Sequence, residues 1–159
     1  KGQPLMYARD TTYELCKTPA DYKACHDFFK AESEHPTRIK EGLQDHAYTF
    51  EKITSPTVKA VRDGKVIAVM ATKTWRGCED HIANPVHIAY DLKNHVPVMI
   101  RLIDTYENEL RRLKVPHYKI LAPSYKSSVR KIFELYKKAV VVSRSSDKRL
   151  NIYLVPVVS

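Results

Sequence analysis

The chain has 159 residues, enough for one domain with a core of its own and no need of disulfides or metals to hold it. Its 43% hydrophobic content, set out in periodic segments, excludes a disordered polymer, and no apolar run reaches the length of a membrane span. Lysine and arginine exceed aspartate and glutamate by 27 to 18, and the net charge of +9 favours acidic or phosphate-bearing partners without naming one. Cys16, Cys25 and Cys78 are odd in number and lack CxxC spacing. They suggest neither a disulfide framework nor a zinc cage, and point to a reducing compartment such as the cytoplasm.

Residues 1–12 read as an extended lead-in, and Lys1-Gly2-Gln3-Pro4 lacks the apolar stretch of a secretory leader. Tyr13 to Lys17 predicts a short strand. Thr18-Pro19-Ala20-Asp21 then supplies a capping hydroxyl, a proline at the first helical position and an acid in the first turn. The helix it starts runs to about Glu34 and buries Tyr22, Cys25, Phe28 and Phe29. Residues 35–56 are polar, with Ile39 and Leu43 marking a turn or two of weaker helix. A strand follows from Thr57, and Asp63-Gly64 between two β-rich runs is the strongest hairpin signal in the chain. The second run, Val66 to Trp75, is long enough for a central strand.

After a loop at 76–85, Val86 to Leu92 predicts a strand. Met99, Leu102, Ile103, Tyr106, Leu110 and Leu113 then recur on one face of a long helix. Tyr118 to Ala122 reads as the next strand. Ser124 is placed to cap a helix whose buried stripe is Val129, Ile132, Phe133 and Tyr136. Val140 to Val142 is a further strand, and Leu150, Ile152 and Leu154 alternate as a closing one. The order predicts a single α/β domain over 1–159, with a mixed, mostly antiparallel sheet of six to seven strands and helices on both faces.

The turn Lys93-Asn94-His95-Val96-Pro97-Val98 before the long helix contains no glycine, where α/β folds that grip a phosphate need close backbone approach. Only Gly2, Gly42, Gly64 and Gly77 occur at all, which argues against kinases, P-loop NTPases and Rossmann dehydrogenases. Cys78, His81 and His87 form the one loose ligand grouping, but their spacing matches no metal motif and no metal is expected. The basic clusters at Arg111-Arg112-Lys114, Lys126-Arg130-Lys131, Lys137-Lys138 and Arg144-Lys148-Arg149 read first as solvated faces. A basic nucleic-acid-binding module is the alternative they leave open.

The order and lengths of these elements, from about Tyr13 onward, resemble the GNAT superfamily of acyltransferases. The most specific piece is Leu135-Tyr136-Lys137-Lys138, which resembles the leucine-tyrosine that ends the family's last helix. The resemblance makes Tyr136 a candidate general acid for a departing coenzyme A thiolate, although periodicity alone would also place it in the core. It further implies a coenzyme loop at Lys93, Asn94, His95, Val98 and Met99. There Asn94, Pro97 and Met99 stand where the family carries arginine or glutamine and two small residues. Pro97 removes a backbone donor, Met99 adds bulk, and Lys93, Asn94 and His95 offer side-chain donors in exchange. Asp91, or His87, is the candidate general base.

From that degenerate loop the sequence favours a GNAT-fold protein without cofactor or catalysis. Such a protein would act by self-association or a protein partner as a structural component, in a phage particle or another assembly. The alternatives are an active N-acyltransferase using acetyl-coenzyme A through a rebuilt loop, and the nucleic-acid module. An acyltransferase requires an open cleft between the strands ending at Leu92 and Ala122.

Overall fold

The hairpin at Asp63-Gly64 forms as its sequence predicts: both residues have positive φ, 52° and 74°, the backbone of a tight turn matched to strand twist. It joins β2 (Ile53–Arg62) to β3 (Lys65–Lys73). The computed structural model describes residues 11–41, 53–73, 82–83, 86–89 and 91–158. In chain order the remaining elements are β1 (Thr11–Leu15), α1 (Pro19–Ser33), α2 (Pro36–Glu41), β4 (Ile82–Ala83), β5 (His87–Ile88), α3 (His95–Arg112), β6 (His117–Pro123), α4 (Ser127–Lys131), β7 (Val140–Arg144) and β8 (Leu150–Pro156). A π-helical segment, Ile132–Tyr136, continues α4.

The strands form one sheet in the order β1-β2-β3-β4-β6-β8-β7, with β5 beside β3. Only the β4–β6 pair is parallel; every other described pair is antiparallel. Eight strands thus occupy seven positions, because β4 and β5 both pair with β3 and share one place.

Alternation along β2 and β3 places helices on both faces. Val58, Ala60, Ala68 and Met70 join the α3 stripe of Met99, Leu102, Ile103, Tyr106 and Leu110 in the main core, which also takes Val129, Ile132 and Phe133. Val69 and Ala71 face the other way, onto Cys25, Phe28 and Phe29 of α1. The start of α1 is fixed by a reciprocal capping box: Thr18 Oγ1 accepts from the Asp21 N–H at 3.2 Å, and Asp21 accepts from the Lys17 and Thr18 N–H groups. Lys59, buried on β2, places its ammonium 3.1 Å from Asp21 and 3.6 Å from Glu14, tying both elements to the sheet.

Several boundaries differ from the sequence reading. β1 starts at Thr11, inside the predicted lead-in, because Thr11 and Thr12 pair with Arg62 and Val61. The strand predicted over 86–92 keeps only His87–Ile88, and a short strand, β4, lies within the predicted loop. Ser124 does not cap α4. Its hydroxyl donates to the Lys148 carbonyl and Lys126 takes the N-cap position. On β8 the core takes Tyr153 and Val155, while Ile152 and Leu154 are only half-buried. Apolar residues at every position from 152 to 155 left the phase of that strand open to either choice. Leu43, Trp75, Cys78 and His81 lie outside the described residues, as do residues 1–10 of the lead-in.

Candidate functional site

The parallel pairing at the centre of the sheet is short. Ile82 and Ala83 of β4 oppose Lys119 and Ile120 of β6. Farther along, β5 pairs with β3 alone, through Val69–His87 and Ala68–Ile88, and the Ala89 N–H continues that ladder to Ile67. The later residues of β6, Leu121 to Pro123, bond to β8 on their other side. Among the described residues no ladder joins β5 to the end of β6, so the parallel pairing between the two halves of the sheet is confined to β4.

α3 begins just past the end of β5. Its N-cap, Asn94, adopts a left-handed conformation (φ 57°) and makes no side-chain capping bond, and the first turn carries no acid. The amides of His95 and Val96 precede the first intrahelical bonds, and the helix dipole adds partial positive charge there. Lys93, Asn94, His95 and Pro97 are exposed. Pro97 supplies no N–H, so one first-turn donor is missing. Val98 and Met99 are 4% and 5% exposed and pack into the main core. This corrects the expectation that Met99 obstructs the loop: its side chain points away from the surface where a phosphate would approach.

Tyr136 is also displaced from its predicted place. Val129, Ile132 and Phe133 are buried, but Tyr136 is 53% exposed. The helix widens after Lys131, and the Lys137 N–H reaches back five residues to the Ile132 carbonyl at 2.9 Å. The extra residue in that turn rotates Tyr136 off the buried stripe and into solvent.

Its neighbour Lys137 anchors the turn. The Lys137 Nζ donates to Asp104 at 2.6 Å and to Glu107 at 3.0 Å on α3, and the Tyr118 hydroxyl of β6 donates to Glu107 at 2.7 Å. The same ammonium sits 5.0 Å from the centre of the Tyr136 ring. Burial and the neighbouring Glu107 carboxylate push the Tyr118 hydroxyl well above its ordinary pKa. The Lys137 ammonium is held above its own by Asp104 and Glu107, against the opposing effect of burial. Sequence reasoning missed this network, although Glu107 carried a signal: it falls between Ile103 and Leu110 on the apolar face of α3.

Asp91 lies in the turn after β5, exposed, with its carboxylate 3.5 Å from His35 Nε2. His35 Nδ1 accepts from the Thr37 N–H at 3.2 Å, which leaves Nε2 to carry the proton facing Asp91. The structure therefore groups Asp91 with His35 at the α1–α2 junction. The His87 backbone lies on β5; its side chain is outside the described residues. Several residues of the basic clusters have acidic neighbours: Arg112 pairs with Glu109, Arg130 with Glu134 and Lys137 with Asp104 and Glu107. No described helix is long and apolar enough to cross a membrane.

No protein-family model matches the sequence, and no curated protein does. Solved structures do match over nearly the whole chain. The ribosomal-protein-S18-alanine N-acetyltransferase from Escherichia coli is 13% identical with a TM-score of 0.60, over 94% of this chain and 95% of its own. The PaiA N-acetyltransferase from Thermoplasma acidophilum, solved in complex with coenzyme A, is 11% identical with a TM-score of 0.61, over 91% and 99%. A GNAT-family structure from Desulfovibrio desulfuricans is 12% identical with a TM-score of 0.61, over 93% and 99%. At these identities the likeness speaks for architecture alone, and it agrees with the mixed sheet and its helices. The chain has the GNAT acetyltransferase fold.

Proposed function

We propose that this chain binds an acyl-coenzyme A in the opening between β5 and β6 and transfers the acyl group to an amine. The observation that carries the reading is that the parallel ladder between β4 and β6 ends at Ala83–Ile120 while β5 pairs with β3, which leaves a place beside the end of β6 where an amide-bearing arm can lie as an added strand. When bound, the coenzyme would supply an activated thioester. The His95 and Val96 amides, the dipole of α3 and the exposed Lys93, Asn94 and His95 side chains fit its pyrophosphate, with Pro97 leaving one donor fewer than the family pattern. Tyr136, turned outward by the π segment and held by its anchored neighbour Lys137, is the proton donor to the departing thiolate. Asp91, beside His35, is the candidate acceptor of the amine proton.

Met99 packs into the core and Tyr136 is exposed, which favours the binding reading over a loop blocked by Met99. The missing donor at Pro97 still favours a second reading, a non-catalytic interaction component that keeps the fold. Amide chemical-shift mapping during a coenzyme A titration, followed by a thiol-release assay with acetyl-coenzyme A and an amine panel, separates the two. Shifts at Ala89, His95, Val96 and Leu121, with amine-dependent thiol release, support the enzyme. Shifts without release support a binding component, and no shifts at those amides refute the proposed site.

A further inference from the structure

Two thiols that this chemistry does not use lie against each other in the smaller core. Cys16, just past β1, and Cys25, in the second turn of α1, are buried free cysteines with Sγ atoms 3.6 Å apart. Both are held in place. The Cys16 N–H is bonded to the Thr57 carbonyl at 2.8 Å, and Cys25 rides on a helix fixed by its capping box and by Phe28 and Phe29 beneath it. A disulfide of about 2.05 Å requires the sulfurs to close by roughly 1.5 Å. Their electrostatics divide the roles. The Cys16 thiol is pulled below its ordinary pKa by its hydrogen bond with Cys25, helped by the Lys59 ammonium, against burial. Cys25 is pushed up by the same bond and by its deeper burial.

We propose that Cys16 and Cys25 are a reversible redox modification site, oxidised by small peroxides to a disulfide that staples α1 to the sheet at β1. The Cys16 thiolate attacks one peroxide oxygen; the O–O bond breaks, a sulfenic acid forms on Cys16 and the other oxygen leaves as water after protonation. The Cys25 sulfur then gives up its proton and attacks the Cys16 sulfur, forming the S–S bond and expelling the sulfenic oxygen as a second water. Two thiols and one hydrogen peroxide become one disulfide and two waters, and a dithiol reductant reverses the step by exchange.

The test treats the folded Cys78→Ser variant with stoichiometric hydrogen peroxide, then denatures it in N-ethylmaleimide and maps the peptides by mass spectrometry. The wild-type chain is mapped in parallel. The expected result is loss of two hydrogens, no maleimide uptake by Cys16 or Cys25 and a Cys16–Cys25 cross-linked peptide. It is accompanied by a rise in Tm of about 5–10 °C that dithiothreitol abolishes. In Cys25→Ser the reaction is expected to stop at the Cys16 sulfenic acid, trapped by dimedone. Maleimide on both thiols, sulfinic acid on Cys16 without a cross-link, or no dimedone adduct in Cys25→Ser would overturn the proposal.

Discussion

Lys137 is the position where one substitution reports most on how α4 and its π segment are attached. Its ammonium is largely buried between Asp104 and Glu107, and Glu107 itself is 3% exposed. Replacing it as Lys137→Met keeps the stem but leaves the Glu107 carboxylate in the core with the Tyr118 hydroxyl as its remaining donor. Breaking a buried pair from one side costs about 3 kcal/mol, which lowers Tm by about 6–12 °C in a chain of this length. Glu107→Gln alone keeps an acceptor for Tyr118 and leaves Lys137 bonded to Asp104, so it costs about 1 kcal/mol. The double variant removes the stranded charge and is expected to lose about 2 kcal/mol rather than the additive value of about 4, a coupling of about 2 kcal/mol. Urea denaturation of the four proteins measures this cycle. Additivity within about 0.5 kcal/mol would refute the claim that Glu107 and Lys137 act as a pair.

Tyr136→Phe is expected to leave stability within about 0.5 kcal/mol of wild type because the ring is exposed, whereas Phe133→Ala costs about 3–5 kcal/mol; thermal melts of both test the π-turn reading. Pro97→Gly restores a first-turn N–H and is expected to tighten coenzyme A binding about tenfold in a calorimetric titration, while an unchanged or weaker affinity contradicts a pyrophosphate at that turn. The Asp21 carboxyl is held far below the usual carboxylate range by the Lys17 and Thr18 amides and by Lys59. A depressed folded pKa contributes stability above the unfolded value of about 4, and that contribution is lost as pH falls below it. Denaturation from pH 7 to pH 2 should therefore show the gap between wild type and Asp21→Asn shrinking below about pH 4. A gap that stays constant across that range contradicts the assignment.

Elements with a local signal were legible in the sequence. The capping box at Thr18 and Asp21, the Asp63-Gly64 hairpin and the α3 stripe are each written in neighbouring residues and form where expected, except that Leu113, predicted to end the stripe, is the exposed C-cap of α3. What the sequence hid depends on contacts distant along the chain. β4 is two residues long and exists because β3 and β6 flank it. The π segment leaves periodicity through Phe133 intact and then moves Tyr136, so a pattern of threes and fours assigns that residue to the core. Met99 looked obstructive because alignment gives position without direction, and only the packed helix shows that it faces inward. The partners of Asp91 and Lys137 come from α1–α2 and α3, elements that no spacing rule connects to them.

The most direct test of the account is calorimetric titration of the folded chain with acetyl-coenzyme A. Saturable binding with a micromolar Kd is expected, weakened by Lys93→Ala and by His95→Ala and unaffected by Lys23→Ala on α1. A flat titration at high protein concentration, for the unaltered chain and for Pro97→Gly alike, would contradict it and leave the opening between β5 and β6 without a coenzyme.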